Sequence, residues 1–99
     1  MQEYKDRNWF VYLVECSDGT LYCGATNNLE KRINAHNLGK GAKYTKTRLP
    51  VTLEGFRSGL TKSEALKLEH YIKKLPKNKK VEFLVFNNIN IFGDLNKWD

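Results

Sequence analysis

The sequence is poor in residues that staple, span or link. Only two of its 99 residues are cysteine, Cys16 and Cys23, and no histidine pair stands near them. They supply neither a disulfide scaffold nor a zinc site and are expected to be reduced, packed thiols. No apolar run is long enough to cross a bilayer, and the opening MQEYKDRNWF has neither a basic n-region nor an apolar h-region. The expectation is a cytoplasmic chain with no membrane partner. With two prolines, no internal repeat and no low-complexity tract, one small α+β domain is expected over residues 1–99, its core over about 9–85 and a tail over 86–99. Nothing in the chain sets an oligomeric state.

Negative charge is also in deficit. Lysine and arginine number 17 against 11 aspartates and glutamates, a formal charge of +6. The excess is localised: Lys40, Lys43, Lys46 and Arg48 fall within GKGAKYTKTR, and Lys73, Lys74, Lys77, Lys79 and Lys80 crowd the end of a later helix. Localised positive charge of this kind points to nucleic acid.

WFVYLVEC and LYCGAT are rich in β-branched and aromatic residues and flank the turn signal SDGT, so they read as a hairpin. Asn27 is expected to open a helix, with Glu30 three residues on, Leu29 and Ile33 as apolar positions and Gly39 as its stop. GKGAKYTKTRLP, with two glycines and a closing proline, is expected to be a basic loop, and VTLEGFRS a third strand. Thr61 and Glu64 form a capping box for TKSEALKLEHYIKKL, where Ala65, Leu68, Ile72 and Leu75 recur at helical spacing until Pro76. KKVEFLVF is ambiguous between helix and strand, and helix is preferred. Ile89, Ile91, Phe92 and Trp98 suggest that part of the tail docks on the domain.

Side chains alternate along a strand, so the hairpin loop decides which residues share a face. A two-residue turn at Asp18-Gly19 pairs Tyr22 with Glu15 and sends Tyr12 to the opposite side. A three-residue loop, Ser17-Asp18-Gly19, pairs Cys16 with Thr20 and Val14 with Tyr22, placing Tyr12 diagonal to Tyr22. The longer loop is preferred, because it collects Trp9, Val11, Leu13, Leu21, Cys23 and Ala25 on the other face and puts Gly19 where a left-handed residue is needed. Gly24 either leaves the sheet open to a close approach or marks a bulge.

Three polar residues border faces that should pack. Arg32 and His36 are one turn apart beside Leu29 and Ile33; one offers a fork of donors to a phosphate, the other a proton relay near neutral pH. Glu69 has Ala65, Leu66, Ile72 and Lys73 as helical neighbours, so its carboxylate needs a partner to offset desolvation. That partner is Lys73 or a metal ion.

VYL, then YCG ten residues later, an arginine eight beyond that glycine, a histidine four further on and a glutamate in SEALKLE together resemble the GIY-YIG nuclease superfamily. The segment DGTLY-G-T-N-LE-R---HN-GKGAKYT is similar to that of its small single-domain members, and the resemblance spans roughly residues 9 to 75. The first motif reads Phe10-Val11-Tyr12 and the second Tyr22-Cys23-Gly24. Val81 stands where many relatives have an asparagine, and that role is not carried over.

The resemblance implies a small three-stranded antiparallel sheet flanked by helices, and hydrolysis of a DNA phosphodiester with one divalent metal, Mg²⁺ or Mn²⁺. Glu69 would hold the metal mainly through water, Arg32 would neutralise transition-state charge, and Tyr12, Tyr22 or His36 would take the proton of the attacking water. A tyrosine base would need nearby cations to lower its pKa. Lys40, Lys43, Lys46, Arg48 and Lys73 would grip flanking phosphates, and Tyr44 would stack on an unpaired base; the alternative for that loop is a solvated cap over the sheet edge. The alternative for the whole chain is a nucleic-acid-binding module that keeps the fold without cleavage.

Overall fold

The computed structural model describes residues 6–86, and within them the preferred hairpin register is the one that forms. Strands β1 (Trp9–Glu15) and β2 (Leu21–Thr26) pair antiparallel, Val14 opposite Tyr22 and Tyr12 opposite Gly24. The Cys16 amide donates to the Thr20 carbonyl at 2.8 Å, and Gly19 closes the loop at φ +84°, a conformation that favours glycine. Strand β3 (Thr52–Leu60) adds antiparallel to β1, giving the order β2-β1-β3 and leaving β2 as an edge.

The remaining elements are α1 (Leu29–Asn37), α2 (Lys43–Lys46), α3 (Lys62–Lys73) and α4 (Lys77–Phe86). Helix α1 begins one residue later than the sequence suggests. Asn28, not Asn27, is its cap, accepting from the Lys31 amide at 3.1 Å. The Asn28 amide donates to the Thr26 hydroxyl at 3.1 Å, so the role a capping-box Glu30 would have played is filled from upstream. Gly39, at φ +76°, ends the helix as expected. The capping box of α3 forms in full between Thr61 and Glu64.

The stretch expected to be a basic loop contains one helical turn, α2. Nothing between Gly41 and Pro50 forbids helix, and the Thr45 hydroxyl donates to the Ala42 carbonyl at 3.0 Å, tightening the turn. The ambiguous KKVEFLVF is helical, in α4. It lies against β3, where the Val85 side chain fills the space a Cβ at Gly55 would need, and the Arg57 guanidinium donates to the Leu84 carbonyl at 2.6 Å. The tail residues expected to dock, Ile89, Ile91, Phe92 and Trp98, lie outside the described residues.

The sheet separates two apolar clusters. Under one face, Val11, Leu13 and Cys23 pack with Leu60, Ala65, Leu68, Ile72 and Leu84, and Trp9, Leu21 and Ala25 join them. This is the apolar side expected from strand parity. Each Leu or Ile buried there contributes roughly 1.5–3 kcal/mol. On the other face Tyr12, Val14, Cys16 and Val51 are buried beneath Leu29 and Ile33 of α1, with Tyr22 and Leu49 alongside. Both cysteines are buried free thiols. No helix among the described residues is long and apolar enough to cross a membrane.

Candidate active site

The hairpin register places Tyr12 and Tyr22 on the α1 face, and α1 brings Arg32 and His36 down onto them. Both rings meet the His36 imidazole edge-on, Tyr12 at 5.7 Å and Tyr22 at 5.6 Å between centroids. The Tyr12 hydroxyl lies 2.7 Å from His36 Nε2, and neither side chain has any solvent exposure. Gly24 is what makes room for this. An alanine Cβ there would overlap Oη, Cζ and Cε2 of Tyr12. The space expected to be open to a ligand, or to a bulge, is filled by the Tyr12 ring, and the register runs unbroken through Gly24.

His36 is held from its far side by α2. Nδ1 lies 2.8 Å from Thr45 Oγ1, and Thr45 is itself buried. The Gly41 backbone rests on the imidazole so closely that a Cβ at Gly41 would overlap Nδ1, Cγ and Cε1. Thr45 and Gly41 are functional-site residues that sequence reasoning missed. The GKGAKYT string contained both, but nothing in a nine-residue spacing between His36 and Thr45 announces that the chain reverses there.

Burial dominates the electrostatics of this pair. It pushes the Tyr12 hydroxyl up to about 12, against a hydrogen bond and a favourable charge from Arg32, while Tyr22 and Cys23 add to the rise. The expectation that nearby cations lower a tyrosine pKa is therefore reversed at Tyr12: desolvation of a phenolate outweighs Arg32. Burial, then the Arg32 charge, holds His36 below its ordinary value. The resting pair is a neutral phenol beside a neutral imidazole.

Tyr22 is half-buried and is the more accessible of the two phenols. It stacks on Tyr44 at 5.9 Å and 21°, and the Arg48 guanidinium sits 3.9 Å from the Tyr44 centroid. The ring expected to receive an unpaired base thus already has two partners. Arg48 is similarly committed, donating to Asp18 Oδ2 at 3.0 Å and to the Tyr44 carbonyl at 2.7 Å. Lys40, Lys43 and Lys46 are exposed, as phosphate contacts must be.

Glu69 and Lys73 project from α3, which packs under the opposite face, and reach the cluster at the β2 edge. The Lys73 ammonium pairs with Glu69 Oε2 at 2.9 Å and lies 5.4 Å from the Tyr22 ring centroid. Of the two partners left open for Glu69, Lys73 is the one seen, and it joins Glu69 to the site. Burial first, and then the Glu69 charge, push the Cys23 thiol up to about 12 against Lys73 and Lys80. No group of three His, Cys, Asp or Glu side chains able to hold a metal occurs among the described residues. A cation here would have one carboxylate, 19% exposed, and would complete its shell with water and substrate oxygens, which suits Mg²⁺ or Mn²⁺ and would not suit zinc.

Two phenols, a guanidinium and an imidazole are thus gathered over one face of a three-stranded sheet. The GIY-YIG catalytic domain profile matches residues 8–82. A UPF0213 protein of Bacillus licheniformis is 49% identical over 75 residues, covering 76% of this chain and 77% of its own. One from Clostridium perfringens is 51% identical over 80 residues, covering 81% and 86%. A solution structure of an E. faecalis protein, EF2693, superposes with a TM-score of 0.53 at 36% identity, over 84% of this chain and 86% of that one. With a family profile spanning most of the chain and relatives this similar over most of their length, the protein belongs to the GIY-YIG family, among its small UPF0213 members.

Proposed function

We propose that the protein is a metal-dependent endonuclease that hydrolyses DNA phosphodiesters, with a preference for branched or damaged structures suited to repair or recombination. The observation that carries this reading is the Tyr12–His36 hydrogen bond, with Arg32 and Tyr22 against the same pair. A module that only gripped phosphates would gain nothing from a buried phenol–imidazole pair.

Arg32 is the group that meets both the Tyr12 hydroxyl and a phosphate. Drawn toward a non-bridging oxygen, its guanidinium neutralises charge as the phosphorus becomes five-coordinate and uncovers the Tyr12 oxygen. With burial pushing Tyr12 up to about 12 and holding His36 below its ordinary value, moving the phenol proton to Nε2 in the resting site is uphill. Tyr12 is therefore not a preformed phenolate. The attacking water gives a proton to Tyr12 Oη as Oη gives its own to Nε2, so His36 is the ultimate base and acts through Tyr12. Tyr22 positions the water. Glu69 is the residue that would hold Mg²⁺ or Mn²⁺, which when bound supplies positive charge at the phosphate and leaving oxygen.

The test is nicking of supercoiled, single-stranded and branched DNA with Mg²⁺, Mn²⁺ or EDTA. Wild type is expected to nick only with metal, and Glu69→Ala and Tyr12→Phe to lose activity. Wild type that binds every substrate and nicks none would establish the binding module instead.

A further inference from the structure

The histidine at the centre of the site has two neutral tautomers, and only one can accept the Tyr12 proton. The contacts on its far nitrogen choose between them. Thr45 Oγ1 lies 2.8 Å from Nδ1 and 3.0 Å from the Ala42 carbonyl. A hydroxyl has one proton. The Ala42 carbonyl oxygen, which also accepts from the Lys46 amide at 3.2 Å, only accepts; with the hydroxyl proton directed to it, Nδ1 carries a proton and donates to Oγ1. Nε2 keeps its lone pair and faces the Tyr12 hydroxyl at 2.7 Å. The Ala42 amide, whose donation to Nδ1 would favour the opposite tautomer, stands 3.4 Å away, the longest contact of the set.

We infer that Thr45 is a positioning residue: its hydroxyl holds His36 in the tautomer protonated at Nδ1, so that Nε2 is the acceptor for the proton relayed through Tyr12. Donation then runs in one direction, from the Tyr12 hydroxyl to Nε2, from Nδ1–H to the Thr45 hydroxyl, and from that hydroxyl to the Ala42 carbonyl. When Nε2 takes up the relayed proton, the imidazolium keeps its Nδ1–H bond to Thr45 and needs no rearrangement. The role parallels that of the third member of a nucleophile–base–orienter set, filled here by a neutral hydroxyl. A carboxylate would stabilise the imidazolium more strongly. A hydroxyl leaves the ring neutral at rest, which suits a site already holding Arg32.

The inference rests on the nuclease reading for its rate measurement only, because the tautomer can be read directly from the ring ¹⁵N shifts of His36, with His70→Gln to assign the two histidines. Wild type is expected to be protonated at Nδ1. Thr45→Val, which keeps the shape and removes the hydroxyl, is expected to shift His36 toward the Nε2-protonated form and to lower kcat by roughly tenfold or more with KM unchanged. Thr45→Ser is expected to restore both, and it also covers the case in which Thr45→Val does not fold. Wild type protonated at Nε2, a folded Thr45→Val with the wild-type tautomer, or a folded Thr45→Ser with the tautomer shifted away from Nδ1 would overturn it. If wild type nicks nothing, the nuclease reading fails while the shifts still decide the role of Thr45.

Discussion

Replacing Gly24 by alanine adds one methyl where the sheet has no room for it. The new Cβ would overlap three atoms of the Tyr12 ring, Oη among them. Backbone conformation is not at issue, since Gly24 is not one of the positive-φ glycines. Tyr12 has no exposed side to move toward, so its ring must tilt and Oη must leave Nε2. Overpacking of this kind costs about 1–3 kcal/mol. A buried Nε2 left without its donor adds about 1–3 kcal/mol. Urea denaturation should therefore show Gly24→Ala destabilised by roughly 2–6 kcal/mol, a large share of the stability of so small a domain. Tyr12→Phe removes Oη but leaves Cζ and Cε2 in the way, and the hydrogen bond can be lost only once. The double variant should fall short of the sum of the singles by about 1–2 kcal/mol. An alanine variant within about 0.5 kcal/mol of wild type, or strictly additive costs, would show that Gly24 is not there to seat the Tyr12 ring.

Four further outcomes follow from the same geometry. Burial holds Tyr12 at about 12 against an ordinary 10, so the unfolded chain loses its proton first; about 2–3 kcal/mol of stability, complete below pH 10, should disappear between pH 10 and 12. Thermal melts across that range should decline less steeply in Tyr12→Phe, and an identical decline would contradict the assignment. For His36, held below its ordinary 6.5, the unfolded chain gains the proton first, so stability should fall as pH drops below about 6.5, and less so in His36→Gln. Lys73→Ala should cost about 0.5–1 kcal/mol, because the i,i+4 bridge is exposed at its Lys73 end but half-buried at Glu69, yet it should tighten Mn²⁺ binding in calorimetry by freeing Glu69, whereas Glu69→Ala should abolish it. Lys43→Ala should weaken binding to all DNA sequences alike and flatten the salt slope by about one; a sequence-selective loss would rule out a phosphate contact.

The fold was legible wherever one periodicity had one explanation. Parity on β1 and β2 separated Val11, Leu13 and Cys23 from Tyr12 and Tyr22, and the 3.6-residue spacing of Ala65, Leu68 and Ile72 fixed the buried face of α3. Legibility failed where the stabilising partner is distant or supplied by backbone. The start of α1 slipped because Thr26 caps the Asn28 amide, and α2 was missed because one turn bonded by Thr45 to Ala42 carries no apolar period. Gly24 was flagged for the right reason, close approach, with the wrong visitor. A sequence records that a Cβ is absent, not which side chain uses the vacancy.

Charge was the least legible property, because composition counts groups without saying which are already engaged. Arg48 belongs to the basic string, yet its guanidinium is bound to Asp18 and to Tyr44, and the Ser17 amide donates to the Arg48 carbonyl at 2.9 Å. These bonds tie the hairpin loop to the end of α2. The loop Ser17-Asp18-Gly19 thus has two duties. Its length puts both tyrosines on one face, and its aspartate anchors the segment whose Thr45 and Gly41 close over His36. A one-residue insertion in that loop would put the two tyrosines on opposite faces and release α2 together, so hairpin register and histidine environment cannot vary independently in this fold.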